Sequence, residues 1–246
     1  MKTLLETLDL TDEPNIIKII LKNTNMRIVD RLEDTLNGGY QGVYNEVIGV
    51  DCYRLKKLNF VPDVIFDLGA NIGCFARHAQ SIFPDAKIIS VEPDAENFIH
   101  LVKFTNNDAN NITFINAAIG SGDTYMAKGI ERGCHFRYIN AEEVNENEYE
   151  LADIESVMPH ELIKKYTQHG QKFMVKMDIE SNENLVFANS ESMIALKEAE
   201  YLCFEVHVNA PQWTDKDRSN CVNALSSFSE SHNIEFNQPE FFAYKK

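Results

Sequence analysis

From residue 63 onward, short apolar runs alternate with longer segments whose apolar positions recur at helical spacing. The strand-like runs are VIFDL at 64–68, KIISV at 87–91, ITFIN at 112–116, FMVKMDI at 173–179 and YLCFEVHV at 201–208. The helix-like segments between them are 72–83, 94–104 and 182–199. Nearly continuous apolar strands that alternate with helices are typical of a parallel sheet covered on both faces. The pattern predicts an α/β fold with a doubly wound, mostly parallel sheet.

The segments before and after this alternation define the expected domain organisation. Residues 14–36 carry apolar positions at helical spacing, so we expect a helical extension over residues 1–60 and a main domain over residues 61–246. The tail predicts one more helix and then two short apolar runs, at 234–236 and 241–244. These two runs can pair antiparallel at the edge of the sheet.

The stretch 121–170 is too long for a simple crossover and is interpreted as an insertion before the fourth strand. It carries a run of acids with no Lys or Arg between them, which comprises Glu142, Glu143, Glu146, Glu148, Glu150, Asp153 and Glu155. The run is compatible with a solvated loop and also with a lid over a substrate site.

Composition narrows the classes of partner. The 246 residues include 23 Lys and Arg against 38 Asp and Glu, which gives a formal net charge of −15. Nucleic acids and anionic membrane surfaces are therefore not expected as partners, since both need a basic face. The five cysteines form no C-x-x-C pair, so neither a disulfide framework nor a zinc site is indicated. No signal peptide or membrane-spanning stretch is predicted, and a cytoplasmic location is expected.

A glycine-containing turn follows the first strand directly, in the run Asp67-Leu-Gly69-Ala-Asn71-Ile-Gly73. Its glycines allow close approach of the backbone to a ligand. A dinucleotide fingerprint requires G-x-G-x-x-G, whereas this run reads G-x-N-x-G. The acidic residue that ends the strand suits an ammonium group better than a pyrophosphate. A tight turn without any ligand is the alternative.

The second strand ends in Ser-Val-Glu92-Pro93. A carboxylate at this place can accept hydrogen bonds from both ribose hydroxyls of an adenosine, although it can also be a simple helix-entry residue. Loops at the carboxyl ends of adjacent parallel strands together define a ligand crevice.

Five motifs in this order resemble the FkbM-type S-adenosylmethionine-dependent methyltransferases, across roughly residues 60–210. They are DLGANIG at 67–73, VEPD at 91–94, NAAIG at 116–120, VKMDIESNE at 175–183 and FEVH at 204–207. The resemblance implies a Rossmann-like class I methyltransferase fold and S-adenosyl-L-methionine as the cofactor. One position departs from the family pattern, because Ser181 stands where glycine is expected, and this puts the substrate-facing geometry of that loop in doubt.

The resemblance also implies roles for residues at the strand ends. The first motif would hold the methionine part of the cofactor, the acid after the second strand its ribose, and the end of the third strand would lie beside its adenine. Carried over by position, the cofactor residues are Asp67, Gly69, Ala70, Asn71, Gly73, Glu92, Pro93, Asn116, Ala117 and Asp178.

Methyl transfer requires a nucleophile in line with the methyl group and a base that removes its proton. The fourth run places Lys176, Asp178 and Glu180 on one face, and the fifth places Glu205 and His207 on one face. His207 is the predicted general base, with Lys176, Asp178 and Glu205 beside it in the catalytic group.

Three alternatives to these catalytic roles stay open. Lys176 can form a structural ion pair with Glu205 or Asp178, and His207 can be an ordinary packed histidine. Catalysis without a metal is expected, although a divalent ion that bridges Asp178, Glu205 and His207 is an alternative.

The glycine-rich segment 38–49 precedes the first strand and is expected to cover the methionine end of the cofactor. Tyr40, Tyr44 and Glu46 are its candidate contacts, because aromatic faces suit a sulfonium and a carboxylate suits an ammonium. Packing of the two tyrosines in the core is the alternative.

The resemblance thus implies an O-methyltransferase that acts on a hydroxyl of a small molecule or sugar, with nitrogen and carboxylate acceptors left open. A cofactor-binding module without catalysis is one alternative. An NAD-dependent oxidoreductase is another, which the missing third glycine opposes.

Overall fold

The computed structural model describes residues 40–105, 111–127, 138–140, 149–152, 154–180, 182–209, 213–237 and 239–246. These residues belong to one compact unit, Gly39–Lys246. The helices predicted within 14–36, Ser181 and most of the acidic run lie outside the described residues, and the side chain of Tyr40 does too. The predicted boundary at residue 60 stays a prediction.

The described helices are α1 (Tyr40–Tyr44), α2 (Cys74–Ile82), α3 (Ala95–Thr105), α4 (Pro159–Tyr166), α5 (Glu183–Ala188), α6 (Ser190–Leu196) and α7 (Asp215–Ser227). A π-helical turn spans Asn45–Val50, and 3₁₀ turns span Leu55–Lys57 and Phe228–Glu230. The strands are β1 (Val64–Leu68), β2 (Lys87–Val91), β3 (Ile112–Ile115), β4 (Ala118–Ile119), β5 (Thr124–Ala127), β6 (Tyr138–Asn140), β7 (Tyr149–Ala152), β8 (Ser156–Val157), β9 (Phe173–Met177), β10 (Tyr201–Glu205), β11 (His232–Asn237) and β12 (Glu240–Lys245).

A seven-stranded sheet in the order β11-β12-β10-β9-β1-β2-β3 forms the centre of the fold. The strands β3, β2, β1, β9 and β10 pair in parallel, and β12 pairs antiparallel with both β10 and β11. The predicted doubly wound, mostly parallel α/β class is confirmed. The predicted pairing of the tail at the sheet edge is also confirmed.

Both faces of the sheet are buried, which explains why the parallel strands are apolar nearly throughout. Along β1, Ile65 belongs to one hydrophobic cluster, whereas Phe66 and Leu68 belong to the other. This separation follows from the two-residue period of a strand, which sends successive side chains to opposite faces. Within the described residues, no helix combines the length and the apolar composition that crossing a bilayer requires.

The insertion contains more regular structure than the loop interpretation allows. Strands β5, β6 and β7 form a separate antiparallel sheet, and β4 pairs with β8. Helix α4 then leads back to the main sheet and begins with a proline in its first turn. The residues of these strands are therefore not loop, because backbone pairing satisfies their polar groups. The interpretation of the acidic run stays a prediction, since most of that run lies outside the described residues.

Three predicted elements end elsewhere than the pattern indicated. Strand β9 ends at Met177 and β10 ends at Glu205, so the polar residues that follow them do not continue the strand alternation. The segment 182–199 forms two helices rather than one. The division lies at Asn189, whose extended backbone ends α5 and whose side chain accepts a hydrogen bond from the backbone N–H of Ser192 in α6.

Candidate active site

A cavity of about 480 Å³ opens where β1, β2, β9 and β10 end. The strand order reverses here, because β2 lies on one side of β1 and β9 on the other, and such switch points are where open α/β sheets bind ligands. The predicted site residues that line the cavity are Glu46, Gly69, Ala70, Asn71, Glu92, Pro93, Lys176, Asp178, Glu205 and His207. The predicted residues that do not line it are Asp67, Gly73, Tyr44, Asn116 and Ala117.

The backbone N–H groups of the loop after β1 form hydrogen bonds within the protein. The N–H groups of Gly69 and Ala70 both donate to the carbonyl of Val91, and that of Gly73 donates to the carbonyl of Ala70. The N–H of Asn71 donates to Glu92, and that of Ile72 donates to the side-chain oxygen of Asn71. Since all five N–H groups are used within the protein, this loop offers no row of donors to a phosphate.

A buried ion pair lies beneath this loop. Asp67 is fully buried at the end of β1, and its Oδ1 lies 3.4 Å from Nζ of Lys176 on β9. The same Nζ donates a hydrogen bond to the carbonyl of Gly69 at 2.5 Å. The predicted partners of Lys176 as a structural ion pair, Glu205 and Asp178, are therefore wrong, because the register of β9 on β1 places Asp67 opposite it.

Both members of this pair have shifted pKa values. Burial raises the pKa of Asp67 above its ordinary value, although the charge of Lys176 opposes this. Burial lowers the pKa of Lys176, but the neighbouring charges of Asp67 and Asp178 reverse the effect and leave its pKa above the ordinary value. Lys176 therefore keeps its proton at neutral pH.

Glu92 ends β2 and faces the first loop. Its Oε2 accepts the N–H of Asn71 at 2.7 Å, and its Oε1 accepts the N–H of Asp94 at 3.0 Å. The side-chain amide of Asn97 also donates to Oε1, at 3.5 Å. A carboxylate offers about four acceptor positions, so capacity for a further hydroxyl donor remains, chiefly on Oε2. Burial raises the pKa of Glu92 to about 7, against the opposing effect of these three N–H donors.

The other predicted cofactor residues do not line the cavity but belong to the segments around it. The side-chain amide of Asn116 donates to the carbonyls of Glu92 and Pro93, at 2.8 and 3.0 Å, so it fixes the turn after β2. Ala117 is buried, and the next two residues, Ala118 and Ile119, line the cavity instead. Gly73 precedes α2 in the left-handed region at φ +91°.

The segment before β1 reaches the cavity through one face of its short helices. Glu46 lies on that face together with Val43 and Val47. Tyr44 points elsewhere and packs edge-on against Phe104, with ring centroids 6.4 Å apart. For Tyr44, the structure therefore shows the packing alternative.

Four carboxylates surround His207. Nδ1 lies 3.0 Å from Oε1 of Glu183, whereas Nε2 lies 3.5 Å from Glu180, 3.6 Å from Glu205 and 4.0 Å from Asp178. The predicted strand alternation was the wrong reason for this proximity, since Asp178, Glu180 and His207 all follow the ends of their strands.

These carboxylates determine the proton affinities of the cluster. Burial lowers the pKa of His207, but the hydrogen bond to Glu183 and the surrounding negative charges raise it to about 9. Burial, followed by the charge of Asp178, raises the pKa of Glu205 to about 7.

Asp178, Glu180 and His207 each offer one atom that can bind a metal, and these atoms lie within 4.8 Å of one another. This group differs from the predicted bridging set by one residue, since Glu180 replaces Glu205. Hard divalent cations prefer such oxygen-rich sets.

Sequence reasoning missed two residues of this site. The Tyr53 hydroxyl donates to Oδ2 of Asp178 at 3.3 Å, and its carbonyl accepts from the Tyr201 hydroxyl at 2.9 Å. Tyr53 lies in an irregular segment with no periodic signal. Glu183 enters the sequence analysis only within the motif at 175–183, although an acid four residues beyond the expected strand end at 179 was a usable signal.

Comparisons with known proteins give short or distant similarities. No protein-family model matches the chain. A segment of 53 residues is 38% identical to "Methyltransferase sdnD" of Sordaria araneosa, which covers 22% of this chain and 20% of that protein. The match thus spans a fifth of the length of this curated relative.

Among solved structures, the chain is similar to magnesium protoporphyrin IX methyltransferase from Synechocystis with bound SAM, at 12% identity and a TM-score of 0.46. This match covers 94% of this chain and 97% of that chain. It is also similar to precorrin-6y C5,15-methyltransferase from Geobacter metallireducens, at 12% identity and a TM-score of 0.43, over 80% and 89% of the two chains.

We predict that Gly69→Ala destabilises the protein more than a glycine change that only strains the backbone. A Cβ at Gly69, where φ is +78°, would lie 1.8 Å from the carbonyl oxygen of Asp178. The matched control is Gly170→Ala, because Gly170 has φ +88° and no atom within 4 Å of the added Cβ. The extra loss in unfolding free energy should be roughly 1–3 kcal/mol, measured by urea denaturation. Equal losses in the two variants would contradict the close approach of the loops.

Proposed function

We propose that the protein is an S-adenosylmethionine-dependent methyltransferase that methylates a hydroxyl of a small molecule or sugar. The observation that carries the proposal is that one cavity joins two kinds of site. Glu92 and the loop after β1 form one end, and His207 with its carboxylates forms the other. The first end suits a nucleoside and the second suits removal of a proton.

The charge of the cavity supports this cofactor. Among the described residues that line it, six are carboxylic acids, whereas the basic side chains are Lys176 and His207. A ligand with a positive sulfonium and an ammonium group is attracted to such a lining. We assign Glu92 to the ribose hydroxyls, and Glu46 and Asp178 to the ammonium group.

Residues behind the cavity wall act indirectly in this proposal. Asp67 is fully buried, so we assign it to holding Lys176, which in turn holds the Gly69 carbonyl. Asn116 likewise fixes the backbone that carries Glu92. Their substitution should therefore disturb binding through the shape of the loops.

The proposed chemistry places proton removal at His207. S-adenosylmethionine, when bound, supplies an electrophilic methyl group on its sulfur. His207 presents Nε2 to the cavity, where it takes the proton from the acceptor hydroxyl. Glu205, which lines the cavity and is partly exposed, accepts a hydrogen bond from the acceptor and keeps it oriented. Lys176 maintains the loop and takes no proton.

The hydrogen bonds of the first loop oppose the oxidoreductase alternative. A dinucleotide cofactor brings a pyrophosphate, which usually binds to free N–H groups at a glycine-rich turn. Here the N–H groups of residues 69–73 are all used within the protein, and acidic side chains line the cavity. The 53-residue similarity to a methyltransferase of Sordaria araneosa agrees with the proposal.

The alternative of a cofactor-binding module without catalysis makes a different prediction at His207. In our proposal, His207→Asn lowers the methyl-transfer rate by roughly 100- to 10,000-fold, because the proton acceptor is lost. Binding of S-adenosylhomocysteine should stay within about threefold, since this substitution changes none of the side chains assigned to the cofactor. Transfer from radiolabelled S-adenosylmethionine to a panel of sugars and hydroxylated metabolites measures the effect. The control is His169→Asn, because His169 is exposed and outside the cavity.

In the same assay, the methyl-transfer rate should increase with pH. His207 accepts a proton only when neutral, and its pKa is raised to about 9. The rate should therefore rise about tenfold per pH unit below about 9 and then level off. A wild-type protein that binds the cofactor but methylates nothing in the panel would favour the binding module.

We predict that nucleoside binding weakens as pH falls through about 7, because the carboxylate of Glu92 is protonated there and loses acceptor capacity. 5′-Methylthioadenosine is the suitable probe, since it carries ribose and adenine without the titrating amino-acid part. Calorimetry should show its affinity falling about tenfold per pH unit below about 7. In Glu92→Gln the affinity should be low and independent of pH. The same pH dependence in wild type and variant would exclude Glu92 as the ribose ligand.

We expect methyl transfer to persist in the presence of EDTA. The proton on His207 offsets part of the negative charge of Asp178, Glu180, Glu183 and Glu205 in the resting site, so no dication is needed for that purpose. The rate is compared before and after chelation and after addition of Mg²⁺ or Mn²⁺. A loss that either ion restores would instead support the bridging-metal alternative.

A further inference from the structure

We propose that Glu183 is the positioning residue of His207. Its buried carboxylate holds the Nδ1–H of the imidazole, so that Nε2 is directed into the cavity as the proton acceptor. The importance of this arrangement for the rate rests on the proposed function. The contact itself can be tested without any assay of activity.

The contact with Glu183 is the shortest that His207 makes with the acidic groups around it. Oε1 of Glu183 lies 3.0 Å from Nδ1, within hydrogen-bond distance. The acids on the Nε2 side, Asp178, Glu180 and Glu205, lie at 3.5–4.0 Å. One ring nitrogen is thus bonded to protein while the other faces the cavity.

This asymmetry selects a tautomer. A neutral imidazole has one N–H and one lone pair, and a carboxylate can only accept. The proton of neutral His207 therefore stays on Nδ1, and the lone pair stays on Nε2. The arrangement is chemically the same as the carboxylate and histidine pair of hydrolytic triads, in which the acid orients the base and takes no proton.

Glu183 is itself fixed in place. It is fully buried and is the first residue of α5. The Ile179 N–H approaches its Oε1 at 3.4 Å, and the preceding residue, Asn182, donates its side-chain amide to the carbonyl of Ile119 at 3.0 Å. A buried carboxylate is costly unless charged or polar groups compensate it, and His207 supplies the nearby positive charge.

The groups that face the pair come from several elements. Asp178 and Glu180 follow β9, Glu205 ends β10, and the buried Cys221 thiol of α7 lies near enough to Glu183 for the charge of the carboxylate to help raise its pKa. Of the acids around His207, Glu183 has no exposed surface, whereas the side chains of Asp178, Glu180 and Glu205 are 21–36% exposed. Burial makes Glu183 the suitable residue for a fixed orientation, because solvent neither screens nor displaces it.

The direct test is histidine ¹⁵N NMR on the full-length chain, with the signal of His207 assigned by its absence in His207→Asn. In wild type above about pH 9, we expect the neutral ring to carry its proton on Nδ1. In Glu183→Met, which keeps the length of the side chain but cannot accept a hydrogen bond, this preference should be lost. In Glu183→Gln, whose amide oxygen can still accept, it should be partly retained.

Comparison of kcat with cofactor affinity distinguishes a loss of His207 positioning from a loss of folding. We expect Glu183→Met to lower kcat about 10- to 100-fold, with little change in the affinity for S-adenosylhomocysteine, and Glu183→Gln to recover part of the rate. The matched control is Glu191→Gln, because Glu191 pairs with His160 at 3.4 Å on the surface, outside the cavity. This control should leave both readouts unchanged.

The outcomes test the positioning role of Glu183 and the base role of His207 separately. An unchanged His207 tautomer and kcat in Glu183→Met would overturn the positioning role. If Glu183→Met does not fold, a proton on Nε2 of the neutral wild-type ring overturns the positioning role instead. Full activity of His207→Asn would refute the proposed base, while the NMR result would still decide whether Glu183 orients the ring.

Discussion

The ion pair between Lys176 and Asp67 holds together the two strands on which the cavity depends. It joins the ends of β1 and β9, and Lys176 also binds the carbonyl of Gly69. The missing side chain of Gly69 then allows the carbonyl of Asp178 to approach the loop closely. Because the pair is buried, removal of either partner would leave a charge without compensation, at a cost of about 3–5 kcal/mol. The positions of Asn71 and Asp178 in the cavity follow from this contact.

The distribution of charge around this pair explains what the cavity can bind. Lys176 pairs with Asp67 and donates a hydrogen bond to the loop backbone. Its positive charge therefore compensates only part of the negative charge of the acids at the strand ends. The loop N–H groups, which would otherwise favour an anion, are used within the protein. The resulting cavity favours a cationic ligand with hydroxyl groups over a phosphate. The net charge of −15 is therefore in part a property of the site.

The sequence predicted the fold better than it predicted the contacts within the site. Buried parallel strands must be apolar, and so their alternation with helices was readable. The ends of the strands were harder to predict. The apolar and polar pattern of residues 173–179 continues past Met177, whereas the strand itself ends there. The partner of Lys176 depends on strand register, and Tyr53 meets Asp178 across 125 positions of sequence. Neither relation leaves a local pattern. The place of Glu92 on the cavity could be predicted because Glu92 directly follows a buried strand.

The central claim is that this cavity binds a sulfur-containing nucleoside and rejects a dinucleotide. Calorimetric titration of the full chain with S-adenosylhomocysteine and, separately, with NAD tests it most directly. We expect saturable binding of S-adenosylhomocysteine that Glu92→Gln weakens, and no measurable binding of NAD. Binding of NAD without binding of S-adenosylhomocysteine would contradict the account.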